Sequence, residues 1–433
     1  MEAPSSSQFN ADSCKQPIAS SQVAHVVQLI LLAVAIWAAI YARSALGAMQ
    51  EVMRINLSLS DHEVALLQGT APAIPMVLGA IPLGLIVDRY CRVRLLLLFA
   101  IVSLAATALS ALTSSLTVLF GARCAIGLAM AATLIAAYSL VADLSTAKQR
   151  GRTTMILALG EITGSAAAFA LGGMLLGLVG PTVASPSQGW RSALLWMCVP
   201  LGVATLLMLA LREPARSGIV VQRPPLSMVW SELWRYRAVM APLLLARSMV
   251  WIGEGALLVW AAPNFTRSFS LSAGQAGSIM GTVLLIAGLV GPALGGLLAD
   301  FCQIRGGPRR TVAALAVLAL VSVPTSLFSI AHNVTLASSA LTVFLTLGYI
   351  FGTAALTVGT IVIPGELRGL YLAVTNMVAA LFMGIAPLMV SFLSGVLGGP
   401  AMIGKALLVV CGGTSVVGAA VFASTQRHFP CSA

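Results

Sequence analysis

Charge is what this sequence has least of. Asp, Glu, Lys and Arg make up only 9% of its 433 residues, against 59% hydrophobic. A water-soluble domain cannot cover that much apolar surface with so few polar groups. Cysteine is sparse as well. Cys14, Cys91, Cys124, Cys198, Cys302, Cys411 and Cys431 fall in predicted helices, basic junctions or tails. With no pair in the outer loops, neither a disulfide framework nor a zinc site is expected. The histidines, His25, His62, His332 and His428, are scattered over tails and loops, which speaks against a metal cluster. The phosphate-cradling Gly-x4-Gly-Lys-Ser/Thr loop is missing, so ATP-driven transport by this chain alone is not expected. No nucleophile–base constellation is visible either, so the sequence does not read as an enzyme, and no cofactor is implied. The first 22 residues are polar and Ser-rich, without the apolar core and cleavage site of a secretory signal.

Long apolar runs fill the rest, and the mean hydropathy is +0.98. Short alternating strands, the mark of a transmembrane β-barrel, do not occur. Runs of 18 or more residues with few charges predict membrane-spanning helices. Six fall in the first half: Val26–Met49, Val64–Val87, Leu95–Thr113, Leu116–Val141, Thr153–Val179 and Ser192–Leu211. The second half gives Val239–Ala262, Ala273–Ala299, Thr311–Ala331, Thr335–Ile363, Leu370–Leu393 and Ala406–Ala423. The expected class is an all-α polytopic membrane protein, with twelve helices in two pseudo-symmetric six-helix bundles. The domains read as a tail (1–24), a first bundle (25–211), a linker (212–238), a second bundle (239–424) and a short tail (425–433). In the linker, Trp230 and Trp234 stand one turn apart before Arg235 and Arg237, a pattern that suits an amphipathic helix on the membrane surface.

The net charge of +11 belongs to topology rather than to nucleic acid. With both termini on one side, seventeen of the Lys and Arg residues fall on that side, and only Arg54, Arg191, Arg267 and Lys405 on the other. The positive-inside rule then makes both ends cytoplasmic, in a multi-pass plasma membrane of bacterial inner-membrane type.

One device occurs twice. Gly84-Leu85-Ile86-Val87-Asp88-Arg89 leads into Arg92 and Arg94, and Gly296-Leu297-Leu298-Ala299-Asp300 leads into Arg305, Arg309 and Arg310. A second pair, Arg150-Gly151 and Arg368-Gly369, returns 218 positions later, against 212 for Asp88 and Asp300. Parallel six-helix repeats of this kind build one large class of secondary transporter.

At these residues the chain resembles the major facilitator superfamily. The Gly-x3-Asp-Arg-x2-Arg-x-Arg run is similar to that superfamily's best-known signature, and Arg123-Cys124-Ala125-Ile126-Gly127 to its second motif. A finer resemblance is to the spinster-like branch and its bacterial relatives. It is carried by Leu59-Ser60-Asp61, Leu66-Leu67-Gln68-Gly69, Pro263-Asn264-Phe265-Thr266-Arg267, Leu271-Ser272-Ala273-Gly274-Gln275 and Pro364-Gly365-Glu366-Leu367-Arg368-Gly369. That branch usually has a carboxylate where this chain has Ala42, before Arg43, and another near Met130. The resemblance therefore implies that any proton coupling here uses other acids.

An ionisable side chain in mid-membrane costs about 2.5–3.5 kcal/mol on insertion scales, so it normally faces a cavity or a partner. Arg43, Arg123, Glu161, Arg247 and Glu254 are such positions. Arg247, Trp251 and Glu254 are spaced four and three apart, on one helical face. That stripe suits an amphipathic anion and a proton, or a structural ion pair with Trp251 as packing. Glu161 has no neutralising neighbour in sequence, and a carboxylate shut away from water holds its proton more readily. It reads as a proton or substrate contact, or as an ion-pair partner for Arg43, Arg123 or Arg247. Arg43 reads as cavity-facing or snorkelling, and Arg123 as coupling or packing.

Gly84, Asp88, Arg89, Arg92, Asp300, Glu366 and Arg368 read as a conformational gate, an acid at one helix end meeting a neighbour only when that side is closed, or as topology-setting charge with helix capping, which accounts for the arginines better than for Asp88. Gly291-Pro292-Ala293-Leu294-Gly295-Gly296 reads as close helix packing. The function expected is alternating-access secondary transport of a small organic or lipid-like anion with protons, by a monomer in the lipid bilayer. The competing expectations are multidrug efflux and a non-transporting sensor on the same scaffold.

Overall fold

The computed structural model describes residues 22–145, 150–179, 188–214, 234–235, 237–363, 367–426 and 429. Among them, eleven helical stretches are long and apolar enough to cross a membrane. The longest, Ala273–Thr325, breaks at Gly306–Gly307. Gly307 has φ 62° and ψ −164°, a backbone region closed to side-chain-bearing residues. Two crossings result, giving twelve in all.

In the first bundle these are α1 (Gln22–Ser44), α2 (61–89), α3 (Arg92–Leu112), α4 (Leu116–Leu144), α5 (Arg150–Val179) and α6 (Gly189–Leu207). In the second they are α7 (Arg237–Phe269), α8 (273–305), α9 (308–325), α10 (Val334–Val362), α11 (Arg368–Val396) and α12 (Ile403–Thr425).

Two predicted boundaries move. The first helix ends at Ser44, five residues before Met49, because the chain turns at 45–48 and enters a short helix, Gln50–Asn56. That turn is itself buried, so Arg43 stays inside the protein although it lies in the last turn of α1. The eighth helix runs past Ala299, since nothing interrupts it before the glycine pair. Arg305 and Arg310 there lie over the Phe301 ring, at 4.2 and 5.8 Å from its centroid.

Local signals set the helix starts. Ser60 caps α2 and Glu63 returns the bond to the Ser60 backbone; Ser272 and Gln275 do the same at α8. These reciprocal boxes satisfy otherwise orphaned N–H groups. They stand 212 positions apart, the spacing of Asp88 and Asp300, so the repeat extends to capping chemistry.

Glycines bring helices into backbone contact. A Cβ at Gly127 of α4 would collide with the Pro72 backbone of α2. Gly291 and Gly295 seat α8 on Tyr349, Ile350 and Thr353 of α10, the close packing expected for that phrase. Large apolar side chains such as Leu78, Leu206, Leu297, Leu320 and Phe392 are exposed, which suits a surface facing lipid.

The cysteine reading needs one correction. Cys91, at the α2–α3 junction, is disulfide-bonded; Cys124, Cys198, Cys302 and Cys411 are free. The sequence reading weighed only pairs in the outer loops and so missed a bond at a basic junction.

A candidate transport site between two bundles

The bundles meet along α5–α8 and α2–α11, mainly toward the end that carries Arg267. Gly173 packs on the Gly274 carbonyl, and Gly277 on that of Phe169. Thr70 donates to the Gly384 carbonyl (3.2 Å), and Gln50 to that of Val259 (3.1 Å). The strongest link is ionic. Both Arg267 nitrogens Nη1 and Nη2 reach Asp61 at 2.8 Å, and Nη2 also reaches Glu51 at 2.8 Å. Arg54 pairs with Glu51 at 2.7 Å and lies 3.7 Å from Asp61. Two cations and two acids thus close a neutral cluster, with Arg267 contributed by α7 and the other three by the first bundle. Sequence reading had counted Arg54 and Arg267 as outer-side charges, had cited Asp61 and Arg267 only within the family resemblance, and had not singled out Glu51. These cross-bundle hydrogen bonds and ion pairs lie in one half of the molecule.

The gate candidates at the opposite end divide differently. Arg92 is 3% exposed. It bonds Glu213 (2.7 Å), Asp143 and the Ser139 hydroxyl (3.2 Å), and Glu213 also accepts from the Val93 amide (2.9 Å). This ties the ends of α3, α4 and the segment after α6 inside a single bundle. Asp88, Arg89 and Asp300 are exposed, and a Cβ at Gly84 or Gly296 would meet nothing within 4 Å. Glu366 and the Arg368 side chain lie outside the described residues, as does most of the proposed surface helix around Trp230.

The five mid-membrane charges come from α1, α4, α5 and α7. Arg123 is 1% exposed, and its hydrogen bonds go to structure. It donates to Gln68 Oε1 (2.8 Å), the Arg43 carbonyl (2.6 Å) and the Leu67 carbonyl (3.4 Å). Leu67 lies in a π-turn, Leu66–Thr70, where the widened ladder leaves carbonyls for side-chain donors. Of the two readings of Arg123, packing describes these contacts.

Arg43 lines a cavity of about 290 Å³ between the bundles, with Ser44, Gly47, Gln68, Phe169, Leu258 and Val259. Its Nε has no hydrogen-bond partner, and it acts electrostatically on Glu254 across the interface. Glu254 in turn faces the Tyr349 hydroxyl of α10, and Glu161 accepts from Tyr138 of α4 at 2.9 Å. The two acids, one per bundle, lie close enough to feel each other's charge.

Arg43 and Glu254 are 211 positions apart, and so are Tyr138 and Tyr349. The repeat therefore places opposite charges at equivalent points of α1 and α7, and a tyrosine at equivalent points of α4 and α10. Sequence reading missed both tyrosines, although adding the repeat offset to Tyr138 finds its mate. On α7, Trp251 stacks under the Arg247 guanidinium at 4.6 Å. Beside this stripe lies a larger, mostly apolar cavity of about 550 Å³, with Glu254, Tyr349, Phe344, Leu318 and Thr414 in its wall.

Two six-helix repeats packed around buried charges are the architecture of one large class of membrane transporter. A family model agrees: residues 32–387 match the Major Facilitator Superfamily, and the chain belongs to it. That membership makes it a transporter and not an enzyme. No curated protein matches in sequence. Among solved structures, the chain is similar to a bacterial homologue of the human lysosomal transporter Spinster, inward-facing and unoccupied. Identity is 20% and the TM-score 0.79, over 95% of this chain and 98% of that one. The occupied form of such a homologue gives 22%, 0.75, 93% and 96%. A D-xylose-proton symporter gives 15%, 0.71, 93% and 97%. At these identities the likeness concerns the fold.

Proposed function

We propose that this chain is a proton-coupled secondary transporter of a small organic or amphipathic anion, a relative of the spinster-like branch that works as a monomer. The positive-inside count supports cytoplasmic termini in a bacterial inner membrane. On that orientation the Arg267 cluster closes the outer side.

One observation carries the reading. With Arg123 committed to backbone and amide partners, the site's remaining charges are Arg43 and Arg247 against Glu161 and Glu254. Arg123 keeps its charge while bonded to neutral partners and acts on Arg43, so with both acids ionised the five groups sum to one positive charge, and each proton taken up adds another in low dielectric. A proton thus adds the charge that an anion then balances, and the two travel together. The carboxylates that the branch carries near Ala42 and Met130 are replaced by a pair on α5 and α7, each next to a tyrosine.

Purified protein in proteoliposomes, under an imposed pH gradient, should accumulate members of a panel of organic anions and lysolipids. Glu161→Gln and Glu254→Gln should stop accumulation while sparing exchange. Accumulation that ignores the pH gradient would remove proton coupling. The apolar cavity beside Glu254 favours a second reading, antiport of hydrophobic drugs. Transport of cationic dyes, with no anion transported, would replace the first reading by the second.

A further inference from the structure

Arg247 is a buried cation without a counter-ion in contact. It is 8% exposed, its Nε and Nη1 have no hydrogen-bond partner, and no described acid lies within ion-pairing distance. Glu254, two turns along the same helix, acts on it only through space. Tyr371 and Thr375, one turn apart on α11, are both 0% exposed, and neither hydroxyl has a partner. The Tyr371 hydroxyl lies near both the guanidinium and the Thr375 hydroxyl, without the alignment of a hydrogen bond. It also occupies the space of a missing side chain, since a Cβ at Gly359 of α10 would collide with it. Trp251 closes the opposite face of the guanidinium.

Unsatisfied buried polar groups are rare, and a cluster of them on two facing helices calls for an absent partner. Two N–H and two O–H groups offer four donors, and the surrounding side chains are apolar. The hydroxyls can accept as well as donate, so it is the guanidinium, with two unpartnered N–H groups and one positive charge, that selects an acceptor with one negative charge. A carboxylate supplies two oxygens to share among these donors. A phosphate dianion would need a second cation, and a halide cannot span the set.

We propose that Arg247, Tyr371 and Thr375 form a carboxylate-binding subsite within the second bundle, separate from Arg43, with Trp251 as its wall. The subsite rests on the anion reading above only for its identity as the place where the cargo's carboxylate docks. Binding is measurable without transport, so the two ideas fail separately.

The test is tryptophan fluorescence of the full-length protein in detergent, titrated with propionate, chloride or inorganic phosphate at constant ionic strength. Propionate should give a saturable change that vanishes in Trp251→Phe and in Arg247→Gln. Tyr371→Phe, which removes one oxygen and keeps the ring, should weaken binding by about tenfold, the loss of one charge-assisted network bond. Gly359→Ala should weaken it too, by displacing that hydroxyl. If Arg247→Gln fails to fold, the Tyr371→Phe and Thr375→Val pair decides alone. An unchanged propionate response in that pair, no saturable response in the wild type, or tighter binding of phosphate or chloride overturns the assignment.

Discussion

The two ends of this molecule use the same ionic chemistry for different mechanical purposes. At one end Arg267 of the second bundle is held by Glu51 and Asp61 of the first. At the other, Arg92 is held by Asp143 and Glu213 of its own bundle. A bond inside one bundle survives when the bundles rock; a bond between them must break. In the proposed transport cycle Arg92 would fix the shape of the part that moves, and Arg267 would fix which way it has moved. The duplicated Gly-x3-Asp junction repeats its exposed acid, Asp88 and Asp300, but not its buried cation, since the position 212 after Arg92 is the exposed Ile304.

The largest effect expected from breaking this contrast is at Arg92. Arg92→Gln leaves Asp143 and Glu213 without their cation, a loss of about 3–5 kcal/mol for a buried network. It should appear as a lower thermal midpoint of the purified protein. A midpoint within a degree or two of wild type would mean that the junction is not a clamp.

Next in size is Arg267→Gln, which should leave the thermal midpoint less affected and shift the conformational balance by roughly tenfold toward separation at that end. High salt should move the wild type in the same direction but less, because the cluster is only partly exposed. Cysteine labelling at Ser44 and Leu258, which line the cavity between the bundles, measures this, and unchanged accessibility would count against a latch.

Glu254→Gln comes third. In anion uptake it should flatten the dependence on pH, whereas wild-type uptake rises as the loading side becomes more acidic. The same slope in both would move coupling to Glu161 alone. Smallest of all, Asp300→Asn should change stability by no more than about 0.5 kcal/mol, as exposed substitutions do. A loss as large as that of Arg92→Gln would abolish the asymmetry between the two copies.

Much of this was legible in the sequence, and the limits have a physical pattern. Twelve helices followed from apolar length, the repeat from the spacing of Asp88 and Asp300, and the central charges from their cost in lipid. What was missed depends on partners far apart in sequence. Arg267 is 216 positions from Glu51, and Arg92 is 121 from Glu213, so no periodicity links either pair. Glu51 was not singled out, and Asp61 only for its resemblance, because nothing in sequence says that the loop folds inward behind Arg43. Arg123 was ambiguous for a related reason: its role depends on a π-turn in another helix. Tyr138 and Tyr349 were the exception, readable from the repeat offset once one of them is known to touch an acid.

The central claim is that the bundles pivot about the buried charges, with the Arg267 cluster as the latch at one end. Double electron–electron resonance tests it without any substrate. Spin labels would report one cross-bundle distance at the Arg267 end and one at the Asp88 end, in wild type and in Arg267→Gln. The account predicts that the variant lengthens the first distance and shortens the second. Two distances that both stay at wild-type values, or that lengthen together, would contradict it.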